Sequence, residues 1–224
     1  MKQYRHVHIP KTGGTTINAA LKTHFGPEHC WGCAQSNLYR ERWEAFEEKE
    51  KKMFFVGHSY LWTGNHELDS MVRFTFLRHP IARGLSHLHH RIYDLRSLGR
   101  EEEFEDKDAF IEAHPNLIFN TQCRILVGES SLDVPVDIKE LADAAWWNLT
   151  QHTHWGLMEY FQASWRDVMQ SCGIDLKIDP KFSKNVRKDF SWIPTKRQIQ
   201  RISEFCPADL LLYERAHKYW LNQH

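Results

Sequence analysis

The chain has 224 residues, with 29 lysines plus arginines against 29 aspartates plus glutamates. That length supports a proper core within one domain, and the balanced charge argues against nucleic-acid wrapping or adhesion to an anionic membrane, so any anion site must be local. No apolar run approaches the roughly 20 residues a bilayer span requires, and the first ten residues read as a strand rather than a signal peptide. Five cysteines, an odd number at irregular positions, do not form the even, dense framework of a small secreted protein, and a reducing, cytoplasmic setting is expected.

In chain order, residues 5–9 alternate polar and β-branched side chains and read as a short strand. A glycine loop follows. From Thr15, the apolar residues Ile17, Ala20, Leu21 and Phe25 recur at helical spacing until Gly26-Pro27 stops the pattern. Cys30-Trp31-Gly32-Cys33 has the spacing of a redox pair or half a zinc site. No second pair follows it, so two ordinary loop thiols are expected. Residues 40–52 are dense in charge, with Glu47 and Glu48 each four residues ahead of Lys51 and Lys52, the pattern of a solvated surface helix. Residues 53–56 and 72–77 are apolar, aromatic and β-branched runs that suit buried parallel strands. A helical stretch carrying Ile81, Leu85 and Leu88 on one face follows the second run. Further helices are predicted at about 117–127, 137–149 and 159–171, another from the capping box at Thr195, and a last one from Pro207 to about Leu221.

Strands alternating with helices predict a single α/β domain over residues 1–224. Its expected form is a P-loop-like parallel sheet flanked by helices on both faces, with a helical C-terminal half and ligands bound beyond the carboxyl ends of the strands.

The segment Pro10-Lys11-Thr12-Gly13-Gly14-Thr15-Thr16 lies between predicted strand and helix. Backbone N–H groups and the positive end of the helix dipole make an anion site there. Glycines permit close backbone approach, Lys11 adds a point charge, and the hydroxyls of Thr12, Thr15 and Thr16 add donors for phosphate oxygens. The triphosphate-binding P-loop places its lysine after the glycines with a magnesium-binding hydroxyl beside it, whereas here lysine comes first.

These residues resemble the carbohydrate sulfotransferases that use 3′-phosphoadenosine 5′-phosphosulfate (PAPS), especially the group with the heparan sulfate 2-O- and 6-O-sulfotransferases. The resemblance implies that Lys11 contacts the 5′-phosphate and bridging oxygen while the backbone of Gly13 to Thr16 holds the phosphate. A second motif, Phe76-Leu77-Arg78-His79-Pro80 followed by Ser86, is similar to the family's 3′-phosphate site, a forked cationic donor plus a short hydroxyl from the next helix. In Gly57-His58-Ser59-Tyr60, at a strand end, His58 is the candidate base for the acceptor hydroxyl, with His66 and Glu67 in reserve. His87, His89 and His90 read as packing or acceptor-groove residues, and no metal is expected.

Weaker similarities span most of residues 5–220. They make Arg124 and Glu159 candidate site-lining residues, put Cys123 and Met158 where threonine is common, and liken Asn185-Val186-Arg187-Lys188 to a segment that closes over the donor, with Asn185 as a donor contact. The implied reaction is in-line sulfuryl transfer from PAPS to a hydroxyl of a carbohydrate or glycolipid. Trp31, Trp62, Trp146, Trp147 and Trp155 are candidates for stacking on sugar rings. The rival readings are a nucleotide phosphotransferase using the loop for ATP, and a non-catalytic nucleotide-binding protein of the same fold. Neither the acceptor nor the oligomeric state is legible.

Overall fold

The computed structural model describes residues 2–33, 39–128, 137–177 and 192–224. Strands β1 (Tyr4–Val7), β2 (Cys30–Cys33), β3 (Phe54–Gly57), β4 (Val72–Leu77) and β5 (His154–Leu157) form one sheet in the order β2-β3-β1-β4-β5. Every neighbouring pair is parallel. The helices are α1 (Gly14–Phe25), α2 (Tyr39–Glu44), α3 (His66–Ser70), α4 (Pro80–Ser97), α5 (Lys107–Ala113), α6 (Thr121–Val127), α7 (Ile138–His152), α8 (Phe161–Cys172), α9 (Lys196–Glu204) and α10 (Pro207–Gln223). This is the predicted α/β architecture, with helices dominating the C-terminal half.

The sheet is covered on both faces because alternate residues of each strand point to opposite sides. On one side Tyr4, Phe54, Val56, Phe74 and Phe76 pack with Ile17 and Leu21 of α1 and with Trp165, Val168 and Met169 of α8. On the other, Val7, Leu77 and Leu157 pack with Leu126 of α6, Leu141, Ala145 and Leu149 of α7, and Leu212 of α10. Phe55 joins Trp43, Leu68 and Met71 on the flank. Helix α4 buries Leu88, Ile92 and Leu95 against Phe110, Ile111 and Ile202.

Three expectations need correction. The charged stretch 40–52 is not one helix: α2 ends at Glu44, and only a 3₁₀ turn, Lys49–Lys51, follows. Its apolar residue Trp43 is 1% exposed and belongs to the core, so tertiary packing, not solvation, sets the local structure. Cys30-Trp31-Gly32-Cys33 is a sheet strand instead of a loop, paired with Phe54–Gly57. Strand β5 was not foreseen: the four residues His154–Leu157 are too short for a periodicity signal, and their pairing with β4 decides their conformation.

Helices α4, α6 and α10 are joined by a buried polar knot. The fully buried Arg83 donates through Nη2 to the carbonyls of Leu117 (3.1 Å) and Ile118 (3.1 Å) and to the hydroxyl of Thr121 (3.0 Å). Asn120 and Asp209 cap each other's helices. Asn120 Oδ1 accepts the amides of Ala208 (2.8 Å) and Asp209 (3.2 Å), while the Asp209 carboxylate accepts those of Gln122 (3.1 Å) and Cys123 (2.8 Å). Each bond satisfies a helix-terminal N–H that would otherwise be buried without a partner.

Truncating Asp209 to alanine strips two buried amides of their acceptor and leaves Arg83 without its nearby carboxylate. Asp209→Ala should lower the unfolding free energy by about 3 kcal/mol, read from the shift of the urea midpoint.

Candidate active site

The carboxyl ends of β1, β3 and β4 open onto one cavity of about 630 Å³. The loop after β1 forms its floor. Lys11 has φ 71° and Gly13 φ 84°, two left-handed residues that fold the chain back before α1 begins at Gly14. A side chain at position 13 would strike Met158 as well as strain the backbone. Thr12 is fully buried. Its hydroxyl donates to the Ile9 carbonyl at 2.8 Å, and its amide reaches the same oxygen at 3.3 Å. The Thr12 hydroxyl therefore holds the turn together and does not face the cavity, which corrects its expected part in gripping a phosphate. Lys11, Gly13, Gly14, Thr15 and Thr16 all line the cavity, at the end of a 12-residue helix whose first amides have no intrahelical acceptors.

Arg78 ends β4 and faces the same space. Its Nη1 donates to the Lys11 carbonyl at 3.2 Å, tying the second motif to the first. The backbone of Arg78 is pinned by Gln122: the Arg78 amide donates to Gln122 Oε1 (3.0 Å) and Gln122 Nε2 donates to the Arg78 carbonyl (2.9 Å). The next amide, of His79, donates to Glu159 at 2.7 Å. Residues Ala82, Ser86, His87, His90, Arg91 and Asp94 carry the lining along one face of α4. Proline at the first turn of that helix suits its missing N–H.

His58, just past β3, faces the cavity opposite this wall. Burial lowers its pKa, and the positive charge of Lys11 and then His90 add to the effect, so the ring stays neutral below the usual histidine range. Behind it stand His8, lowered to about 2 by burial and by His6, His58 and Lys11, and the fully buried His6, lowered to about 3 by burial and His58 with Asn18 opposing. His87 is lowered to about 3, chiefly by burial and then Arg83, and its Nδ1 lies 3.0 Å from the Leu117 carbonyl, the tautomer in which it donates. A neutral imidazole can accept a proton. His90 pairs with Asp94 at 3.0 Å.

The cavity thus gathers Lys11, Gly13, Gly14, Thr15, Thr16, Arg78, Ser86 and His58, together with Glu159, His87 and His90. It does not gather His66 or Glu67, the reserve bases. Glu67 instead accepts the Trp43 indole N–H at 3.0 Å and pairs with Lys49 at 3.4 Å. Arg124 is buried over the Phe119 ring, and His89 stacks edge-on to Trp192. None of Trp31, Trp62, Trp146, Trp147 and Trp155 lines the cavity. Asn185, with Val186, Arg187 and Lys188, lies outside the described residues. Among the described residues no group of three or more histidine, cysteine, aspartate or glutamate side chains is placed to hold a metal ion, and no helix is long and apolar enough to cross a membrane. The reading of residues had His8 in the loop segment and Gln122 inside the family-like segment Asn120–Gly128, but gave neither side chain a part in the site, since nothing in one dimension shows which backbone a glutamine will meet.

A model of the sulfotransferase family matches residues 5–214. The chain belongs to the sulfotransferase family. Among solved structures, a sulfotransferase from Alicyclobacillus acidocaldarius shares the fold with a TM-score of 0.53 over 97% of this chain and 96% of that one, at 16% identity. No curated protein matches the sequence significantly. The family match runs from Arg5 in β1 through the loop and both later motifs into the first half of α10, so the cavity lies wholly within the sulfotransferase region.

The buried neutral histidines make the stability of this sulfotransferase sensitive to acid. A histidine whose folded pKa is depressed contributes its full stability above its unfolded value near 6.5. That contribution is lost as pH falls below 6.5, because the unfolded chain then binds protons that the folded one refuses. The urea midpoint should fall steadily from pH 6.5 to 4, and His6→Phe should flatten that slope.

Proposed function

We propose that this sulfotransferase moves the sulfuryl group of PAPS to a hydroxyl of a carbohydrate or glycolipid acceptor by in-line displacement. One observation carries the reading: a single cavity holds the Lys11 loop, the Arg78–Ser86 pair and a neutral His58. The loop suits the 5′-phosphosulfate, whose charge matches backbone amides, the helix dipole and Lys11. Arg78 and Ser86 suit the 3′-phosphate, a terminal dianion best met by a forked cation and a short hydroxyl. Arg78 also holds the Lys11 carbonyl, so the two phosphate positions are built as one unit.

In this mechanism His58 takes the acceptor proton as the oxygen–sulfur bond forms, and the bond from sulfur to the bridging oxygen breaks. Lys11 stabilises the negative charge that gathers on the departing 3′-phosphoadenosine 5′-phosphate (PAP). As in phosphoryl transfer, positioning and charge stabilisation carry most of the rate. Met158, where threonine is common in the family, presents a thioether to Gly13 and offers no hydroxyl to the donor. The acceptor assignment rests on the sequence resemblance to carbohydrate sulfotransferases, and the cavity's outer wall of His90, Arg91 and Asp94 supplies polar groups for a hydroxylated substrate.

The test uses labelled PAPS against a glycan and glycolipid panel. His58→Ala should lose about 10²–10⁴-fold in turnover while still binding PAP, the loss expected on removing a general base. Lys11→Ala should lose turnover by a similar factor. Calorimetry should show Arg78→Ala weakening PAP far more than adenosine 5′-monophosphate, which has no 3′-phosphate. Tighter binding of magnesium–ATP than of PAP would instead support a phosphotransferase, and normal transfer by His58→Ala would refute the base assignment.

A further inference from the structure

His8 has no part in the mechanism above, yet it is the best-placed neighbour of the base. Its ring centroid lies 4.5 Å from that of His58 with the planes at 87°, an edge-to-face contact. Its opposite neighbour is His6, stacked at 5.3 Å and 21°, which in turn stacks on Phe74 at 5.0 Å and 10°. The result is a column of flat rings rooted in the sheet and ending at His58. The same His8 ring occupies the space beside Gly14 that a Cβ there would need, so it also braces the first turn of α1. Packing leaves His8 Nδ1 buried with no hydrogen-bond partner, while the His6 ring has the Asn18 side chain beside it. A buried polar atom without a partner is costly, so the ring's flat shape matters more here than its hydrogen-bonding capacity.

We propose that His8 is a positioning residue for His58, its ring face holding the base edge-on and dry beside the donor loop. The assignment rests on His58 being the base. The geometry accounts for a phosphate loop and a base, carried on different strands, keeping a constant separation: β1 and β3 are adjacent, and His8 fills the gap between Gly14 and His58. A ring braced on one side only would sample several rotamers, and a misplaced base loses rate even when its chemistry is intact. The charged and titratable groups facing His58 and the space around it are His6 from β1, Lys11 and His8 from the loop after it, His87, His90, Arg91 and Asp94 from α4, and Arg78 and Glu159 across the cavity. Because His8 is itself neutral, replacing it with a neutral ring leaves that electrostatic set unaltered.

The experiment is a titration of the histidine ring resonances by carbon–proton NMR on the full chain without ligand, His58 being assigned through His58→Gln. In the wild type, the His58 ring protons should show contacts to the His8 ring and titrate below the usual histidine range. His8→Ala should let water reach His58 and move its titration up toward the ordinary value, with PAP affinity held within about threefold. His8→Phe should keep the depressed titration. On an acceptor found by the glycan screen, His8→Ala should lose about tenfold or more in kcat with little change in KM, and His8→Phe should recover most of that loss.

The proposal is overturned if His58 titrates identically in the wild type and His8→Ala, or if His8→Phe behaves like His8→Ala. Loss of PAP binding in His8→Ala would also overturn it, since the ring would then serve the donor loop alone. Should His8→Ala fail to fold, the wild-type ring contacts and the His8→Phe titration still decide the matter. The titration needs no sulfate transfer, so it separates failure of this proposal from failure of the PAPS assignment.

Discussion

Gln122 exchanges two hydrogen bonds with the backbone of Arg78, and the rest of the cavity depends on where that puts the end of β4. Arg78 reaches from there to the Lys11 carbonyl, and the following amide meets Glu159. Gln122 is itself held because its own amide donates to Asp209. A chain of buried and partly buried polar contacts thus runs from α10 through α6 and the end of β4 to the loop after β1. Buried polar groups are expensive unless every one is paired, so such a chain favours one arrangement over its neighbours. The loop gains rigidity at the point where Lys11 must adopt a left-handed backbone that a non-glycine residue adopts only at a cost.

Electrostatics around His58, the proposed base, follow from the same crowding. Lys11 and Arg78 gather positive charge where an anion would sit, and histidines packed beside them are held neutral. For the proposed mechanism this resolves a conflict: a group that is to receive a proton must be unprotonated, yet His58 stands near a cation. Burial together with Lys11 keeps His58 neutral, and the negative charge of a bound donor would offset the lysine when a proton arrives. His6 and His8 extend the neutral region inward, so that the base is backed by rings and not by water.

Much of the fold and most of the candidate site were legible in one dimension. Strands at residues 5–9, 53–56 and 72–77 announced themselves because β-branched and aromatic runs between polar breaks have little alternative to a buried parallel sheet. Lys11, Gly13 to Thr16, Arg78, Ser86 and His58 sit just past strand ends or in the helices that follow them, carry recognisable motifs, and all meet in the cavity. What escaped detection had no local pattern. β5 is four residues long, β2 hides in a cysteine motif, and Trp43 lies in a charged stretch whose helix stops early because the tryptophan is drawn into the core. Thr12 illustrates the reverse: it lies in a recognisable motif, but its hydroxyl turns inward to the Ile9 carbonyl.

By itself the sequence determined the layered α/β plan and singled out the candidate anion-binding loop, because periodicity and glycine-lysine-threonine spacing are properties of neighbours along the chain. Only the tertiary structure decided which histidines stand together, that Gln122 pins Arg78, and that His8 separates Gly14 from His58. Those contacts join residues far apart along the chain, Arg78 to Gln122 and His8 to His58, and their energies depend on burial and orientation, which exist only once the sheet has brought β1, β3 and β4 side by side.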